Sequence, residues 1–188
     1  MPRVPLLTPS DADPVTRAML VAARRRLGVV PDSWAAAAHH RQLLMGQAAF
    51  ELALERSHAV EQRLTDLISL RAAAVVGCEF CIDIGTHLAR EQGVPDEQLA
   101  ALPGYRESPL FDARDRAALD LATAMTRTPQ EVDDELWSRL REHFDDRQIV
   151  ELCSTIAWEN YRARMNHALG LGSQGFVTDA PREAAVAS

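Results

Sequence analysis

The sequence predicts an all-α fold, and three observations carry that prediction. Apolar residues recur at helical spacing in segment after segment, and no stretch sustains the two-residue alternation of a half-buried strand. Hydrophobic residues make up 47% of the chain, with Ala and Leu supplying most of them and aromatics only 5%. Such a composition suits closely packed helices better than an aromatic-rich β-sandwich. At 188 residues the chain has the size of one ordinary domain, large enough to bury a core without disulfides.

The elements follow in order. Residues 1–10 read as an extended arm, because Pro2, Pro5 and Pro9 remove backbone donors. Asp11 or Asp13 caps a first helix that tolerates Pro14 in its first turn and stops at Gly28. Ser33 is expected to cap the run from Trp34 to His40, and a further helix spans Arg41 to Arg56. From Val60 to Val76, Leu64, Leu67, Ile68, Leu70, Ala74 and Val75 form a helical stripe that Gly77 ends. A new helix runs from Cys78 to Glu91, and a short one from Asp96 to Leu102 is broken by Pro103-Gly104. Helices at Asp112–Met125, Asp133–Phe144 and Arg147–Leu169 complete the set. The chain thus divides into an arm and first helix (1–30), a helical domain (31–170) and a tail (171–188), whose last dozen residues are small and polar.

Charge and cysteine usage narrow the function. Twenty Lys+Arg against 27 Asp+Glu leave a net charge of −7, so neither nucleic acid nor an anionic membrane is an expected partner. No apolar stretch has the length of a spanning helix or the layout of a signal peptide, and a cytoplasmic location is expected. Three cysteines are too few for a secreted disulfide framework. Two of them, Cys78 and Cys81, stand as C-E-F-C directly after Gly77.

Residues three apart share a helix face, so the two sulfurs can meet. At the start of a helix, unpaired N–H groups and the positive end of the dipole favour a thiolate. A lowered thiol pKa makes a nucleophile, and the second thiol can resolve its adduct as a disulfide. The candidate bases are Asp66, Asp83, Glu79 and His87. At 100° per residue His87 lies about 180° from Cys78 round its helix, so it serves only by meeting a neighbouring element. Asp66 approaches the pair if the two helices fold back as a hairpin at Gly77. On the last long helix, Trp158, Asn160 and Arg164 form either a packing network or a substrate pocket facing the thiols, where an arginine selects an anion. Cys153, between Leu152 and Ile156, is expected in the core. A zinc site would have to recruit Cys153 with His143 or His167, and no second close pair supports it.

The run DLISLRAAAVVGCEFCIDIGTHLARE, residues 66–91, resembles the signature of the carboxymuconolactone decarboxylase / alkylhydroperoxidase family, an acid, eleven residues, C-x-x-C, three residues and a histidine. The stretch AWENYRARMNHALG, residues 157–170, is similar to the last helix of longer members. The resemblance implies an alkylhydroperoxidase-like helical bundle that assembles as a homo-oligomer. It also implies a thiol-dependent oxidoreductase without a bound cofactor, in which Cys81 attacks a peroxide or disulfide, Cys78 resolves it, Asp66 relays the proton and a dithiol partner restores the reduced form. Two positions depart from the pattern. Asp66 stands where glutamate is usual, and Gly85 stands where the histidine is expected, with His87 two residues late. The alternatives are a lyase acting on a small carboxylated lactone and a non-catalytic module whose cysteines sense oxidation.

Overall fold

The computed structural model describes residues 1–177, and within them nine α-helices follow one another: α1 Pro14–Leu27, α2 Asp32–Ala37, α3 Arg41–Glu55, α4 Gln62–Val76, α5 Glu79–Glu91, α6 Asp96–Ala101, α7 Ala113–Thr126, α8 Asp134–His143 and α9 Asp146–Ala168. No strand occurs among the described residues. None of the described helices is long and apolar enough to cross a membrane.

Local chemistry sets most boundaries. Asp13, not Asp11, caps α1, accepting from the Val15 and Thr16 amides. Asp112, Asp133 and Asp145 do the same for α7, α8 and α9, the last in a reciprocal capping box with Gln148. Ser33 does not cap α2. That helix begins one residue earlier, at Asp32 behind Pro31, and ends at Ala37, so His39 and His40 lie in the turn that follows.

The bundle is organised round α4, which packs against α5, α7 and α9. Leu64, Leu67, Ile68, Leu70, Ala72 and Ala73 are all buried along it. Alanines at Ala117, Ala118 and Ala122 on α7 let the helices approach closely, and Leu119, Leu152 and Ile156 fill the space between. Each fully buried leucine contributes about 2 kcal/mol by leaving water. Cys153 packs against this core, half-buried, as its register predicts.

Around this centre the chain is less tied. Only Leu44 of α3 is buried, while Leu43, Met45, Phe50 and Leu52 remain exposed. The N-terminal arm lies along the body: the Arg3 amide donates to the Leu169 carbonyl (2.8 Å), the Arg3 guanidinium to the Ala168 carbonyl (3.0 Å) and the Leu7 amide to the Ala35 carbonyl (3.2 Å). Residues 171–177, the described part of the expected tail, are docked on Asp83, and the last dozen residues, expected to be loose, lie outside the described residues from 178 onward.

Candidate active site

The turn between α4 and α5 builds the thiol pair. Gly77 takes a left-handed conformation (φ 76°) that ends α4, and the Cys78 amide closes the turn on the Ala73 carbonyl at 3.0 Å. Cys78 then serves as N-cap of α5, its Sγ accepting the Cys81 amide at 3.3 Å. One residue thus closes one helix and opens the next. Cys78 therefore sits just before the first turn of α5, with Cys81 one turn in.

Both cysteines are reduced and buried, with exposures of 1% for Cys78 and 7% for Cys81. Ala36, Ala73, Phe80, Ala163 and Leu171 surround them, and Val4 and Leu6 of the arm pack against the same cluster. The pair is electrostatically unequal. The hydrogen bond from the Cys81 thiol lowers the Cys78 pKa, against the effect of burial, and the Cys81 amide adds to it. The same bond raises Cys81, and burial and the neighbouring Glu159 push it in the same direction. Of the two, Cys78 gives up its proton more readily.

The long helix α9 supplies the polar groups near the sulfurs. Glu159, Ala163 and Asn166 fall on one face at helical spacing and all three are buried. The Asn166 amide nitrogen lies 3.4 Å from Cys81 Sγ, in donor position. Glu159 accepts from the Arg162 guanidinium, and Arg162 also reaches Glu51 of α3 at 2.7 Å. Burial raises the Glu159 pKa, partly opposed by Arg162 and by the Cys81 thiol. Its Oε1 has no hydrogen-bond partner among the described residues.

The other expected site residues lie elsewhere. Trp158, about 100° round α9 from Glu159, stacks on Tyr161 (centroids 5.0 Å) and meets Phe50 (4.7 Å). Asn160 and Arg164 fall on the opposite side, where Asn160 donates to the Thr126 hydroxyl and Arg164 to the Thr126 carbonyl, both at 2.8 Å. None of the three shares the thiol-facing side. Arg164 instead lines a groove of about 850 Å³ with Arg71, Arg127 and His167.

The expected relay is also displaced. His87 points outward, 3.4 Å from Glu91 and ring to ring with Phe176 at 5.5 Å. A Cβ on Gly85 would come within 3.0 Å of Leu70 Cδ2, so Leu70 of α4 faces the position where a histidine side chain was expected. With Leu70 opposite Gly85, Asp66 falls one turn further down the hairpin, about 12 Å along α5 from Cys81. Its Oδ1 accepts from Gln62 at 2.9 Å, its Oδ2 is buried without a partner among the described residues, and burial pushes its pKa up to about 6. Asp83 accepts from the Ser173 hydroxyl and the amides of residues 174–177, clamping the C-terminal segment. Glu79 is exposed in the first turn of α5.

Glu159, Arg162 and Glu51 are the polar neighbours that sequence reasoning missed. One signal was available: Glu159 and Asn166 occupy the same register as Leu152, Ile156 and Ala163, so polar groups stand at core positions.

Comparison with known proteins gives the same frame. The profile of the Carboxymuconolactone decarboxylase family matches residues 47–124, which include Asp66 and both cysteines of the pair. The uncharacterized protein YnjA of Escherichia coli is 38% identical over 123 residues, 65% of this chain and 68% of its own. Among solved structures, the debrominase Bmp8 superposes with a TM-score of 0.83 at 20% identity, covering 91% of each chain. An alkylhydroperoxidase AhpD-core, peroxidase-related protein of Ralstonia eutropha gives 0.79 at 20% identity, covering 93% of this chain and 94% of its own. With its helical hairpin, thiol pair and match to these relatives, the chain belongs to the carboxymuconolactone decarboxylase family.

Proposed function

We propose that the protein is a thiol-dependent oxidoreductase of the peroxidase or disulfide-reductase type, in which Cys78 and Cys81 cycle between dithiol and disulfide. One observation carries the reading: Cys78 Sγ accepts the Cys81 amide at a helix start while the Cys81 thiol lies against it. That arrangement supports a thiolate on Cys78, with its partner in place to close a disulfide. The resemblance assigned attack to Cys81 and resolution to Cys78; the hydrogen bonding favours the reverse order.

With a hydroperoxide, the Cys78 thiolate attacks the terminal oxygen, the O–O bond breaks and an alkoxide leaves to be protonated as the alcohol. Cys81 then attacks the sulfenic sulfur of Cys78, the S–S bond forms and water departs. A dithiol partner returns both thiols. Because arm and bundle cover the pair, the oxidant must be small or the arm must lift. Support also comes from kinship: solved structures of the same fold include a debrominase and peroxidase-related proteins.

The test is to count free thiols before and after mild hydrogen peroxide. Wild type should lose two together, Cys81→Ser should stop at a sulfenic acid on Cys78, and Cys78→Ser should lose at least 100-fold in rate. Turnover of a carboxylated lactone that is unchanged by Cys81→Ser would replace this reading with the lyase.

A further inference from the structure

We propose that Glu159 is the base that removes the Cys81 proton when the disulfide closes, and that Arg162 and Glu51 hold its carboxylate in place. The inference rests on the dithiol reading and supplies the step that reading leaves open, since Asp66 and His87 do not reach the sulfurs.

Resolution requires a thiolate on Cys81, yet Cys78 and burial hold Cys81 protonated. Some neighbouring group must therefore accept a proton in a site almost closed to water. The groups facing Glu159 are Arg162 on its own helix, Glu51 on α3 and the two thiols of the α4–α5 turn. Glu159 is the buried acid on the face of α9 whose Asn166 touches Cys81 Sγ, and its charge and the Cys81 thiol act on each other.

Its hydrogen bonding is that of a group left half-occupied. One oxygen takes the Arg162 guanidinium, and Oε1 takes nothing among the described residues, although the side chain is only 3% exposed. A buried carboxylate oxygen without a donor is costly, and once Cys78 is oxidised and no longer holds it, the S–H of Cys81 is the donor at hand. The arginine keeps an anion in a dry site. Glu51 shares that arginine, which leaves Glu159 more basic than an undivided ion pair would.

The proton balance closes. Glu159 takes the proton of Cys81, the Cys81 sulfur attacks Cys78–SOH, the S–O bond breaks, and the departing hydroxide leaves as water with the proton returned by Glu159. Two thiols are oxidised to one disulfide, and the hydroperoxide is reduced to alcohol and water.

Glu159→Gln tests this in the full chain with hydrogen peroxide as probe and a sulfenic-acid-trapping diketone as reporter. The expected result is sulfenic acid formation on Cys78 within about threefold of wild type, disulfide closure slowed at least 10-fold, and trapped Cys78 adduct accumulating. Glu51→Gln keeps Glu159 and gives Arg162 to it alone, so closure should slow less and its pH dependence should move to lower pH. Closure at the wild-type rate in folded Glu159→Gln overturns the proposal. If that variant does not fold, an unmoved pH profile in Glu51→Gln overturns it. Failure of wild type itself to lose two thiols would instead sink the dithiol reading.

Discussion

Two buried acids of this protein, Asp120 and Glu159, have opposite surroundings. Asp120 on α7 accepts the Tyr105 hydroxyl at 2.5 Å, Arg106 at 2.9 Å and Arg139 at 2.9 Å. Burial works against its ionisation, but these bonds outweigh burial and hold its pKa below the usual carboxylate range. Glu159 has one arginine and an oxygen with no partner among the described residues, and burial prevails. A carboxylate with donors on both oxygens is an anchor; one with an oxygen left over, on the side that faces a thiol, is able to take a proton. Asp83 belongs with the anchors, since five donors overcome its burial. Asp66 resembles Glu159 in having an oxygen with no partner among the described residues, and burial raises its pKa too.

Removing an anchor should have the largest effect on stability. Asp120→Ala leaves a buried tyrosine hydroxyl and two arginines without their acceptor, and should cost about 3 kcal/mol in urea unfolding. Glu159→Gln should cost less, about 1 kcal/mol, because the amide still fills the buried position and accepts from Arg162, which keeps Glu51. Equal losses in the two variants would erase the contrast. Asp83→Asn should cost about 2 kcal/mol and expose the segment 171–177 to protease, since an amide cannot accept from all five donors.

Asp66 should move the other way. Its folded pKa, about 6, lies above the unfolded value of 3.8, so the folded state binds the proton more tightly. Stability linked to this group is therefore greatest below pH 3.8 and is lost as pH rises through 6. Asp66→Asn should gain about 2 kcal/mol at pH 7 and nothing at pH 3.5. A flat difference across that range would show that the carboxyl is not held in a dry site.

The smallest effect concerns access. Arg3→Ala removes the guanidinium bond that ties the arm to the end of α9, without touching the thiols. Loss of about 1 kcal/mol from arm docking should raise the rate of Cys78 alkylation about fivefold, with the unfolding midpoint barely changed. An unchanged rate would mean that oxidant reaches the pair by another route.

Much of the fold was legible because its signals are local. Aspartates before apolar-periodic runs mark four helix starts, and Gly28 and Gly77 mark two ends, each set by a residue's own hydrogen bonding or φ. The C-E-F-C pair was legible for the same reason, since its spacing and the preceding glycine fix the turn. Ser33 failed as a cap because Pro31 sets the backbone two residues earlier. The relay was not legible. Reading along the family pattern points to Asp66 and the 85 position, whereas Leu70 fills the gap and the buried carboxylate on the thiol-facing side of α9 stands 78 residues beyond Cys81.

By itself the sequence determined the helices, the turn at Gly77 and the presence of two thiols on one face, because each depends on backbone and side-chain geometry within a few residues. Only the tertiary structure gave the two sulfurs unequal surroundings and set a buried acid of α9 on the side that faces them. Charge inside a protein responds to distance, burial and rival hydrogen bonds, and the packing of α3, α5 and α9 sets all three.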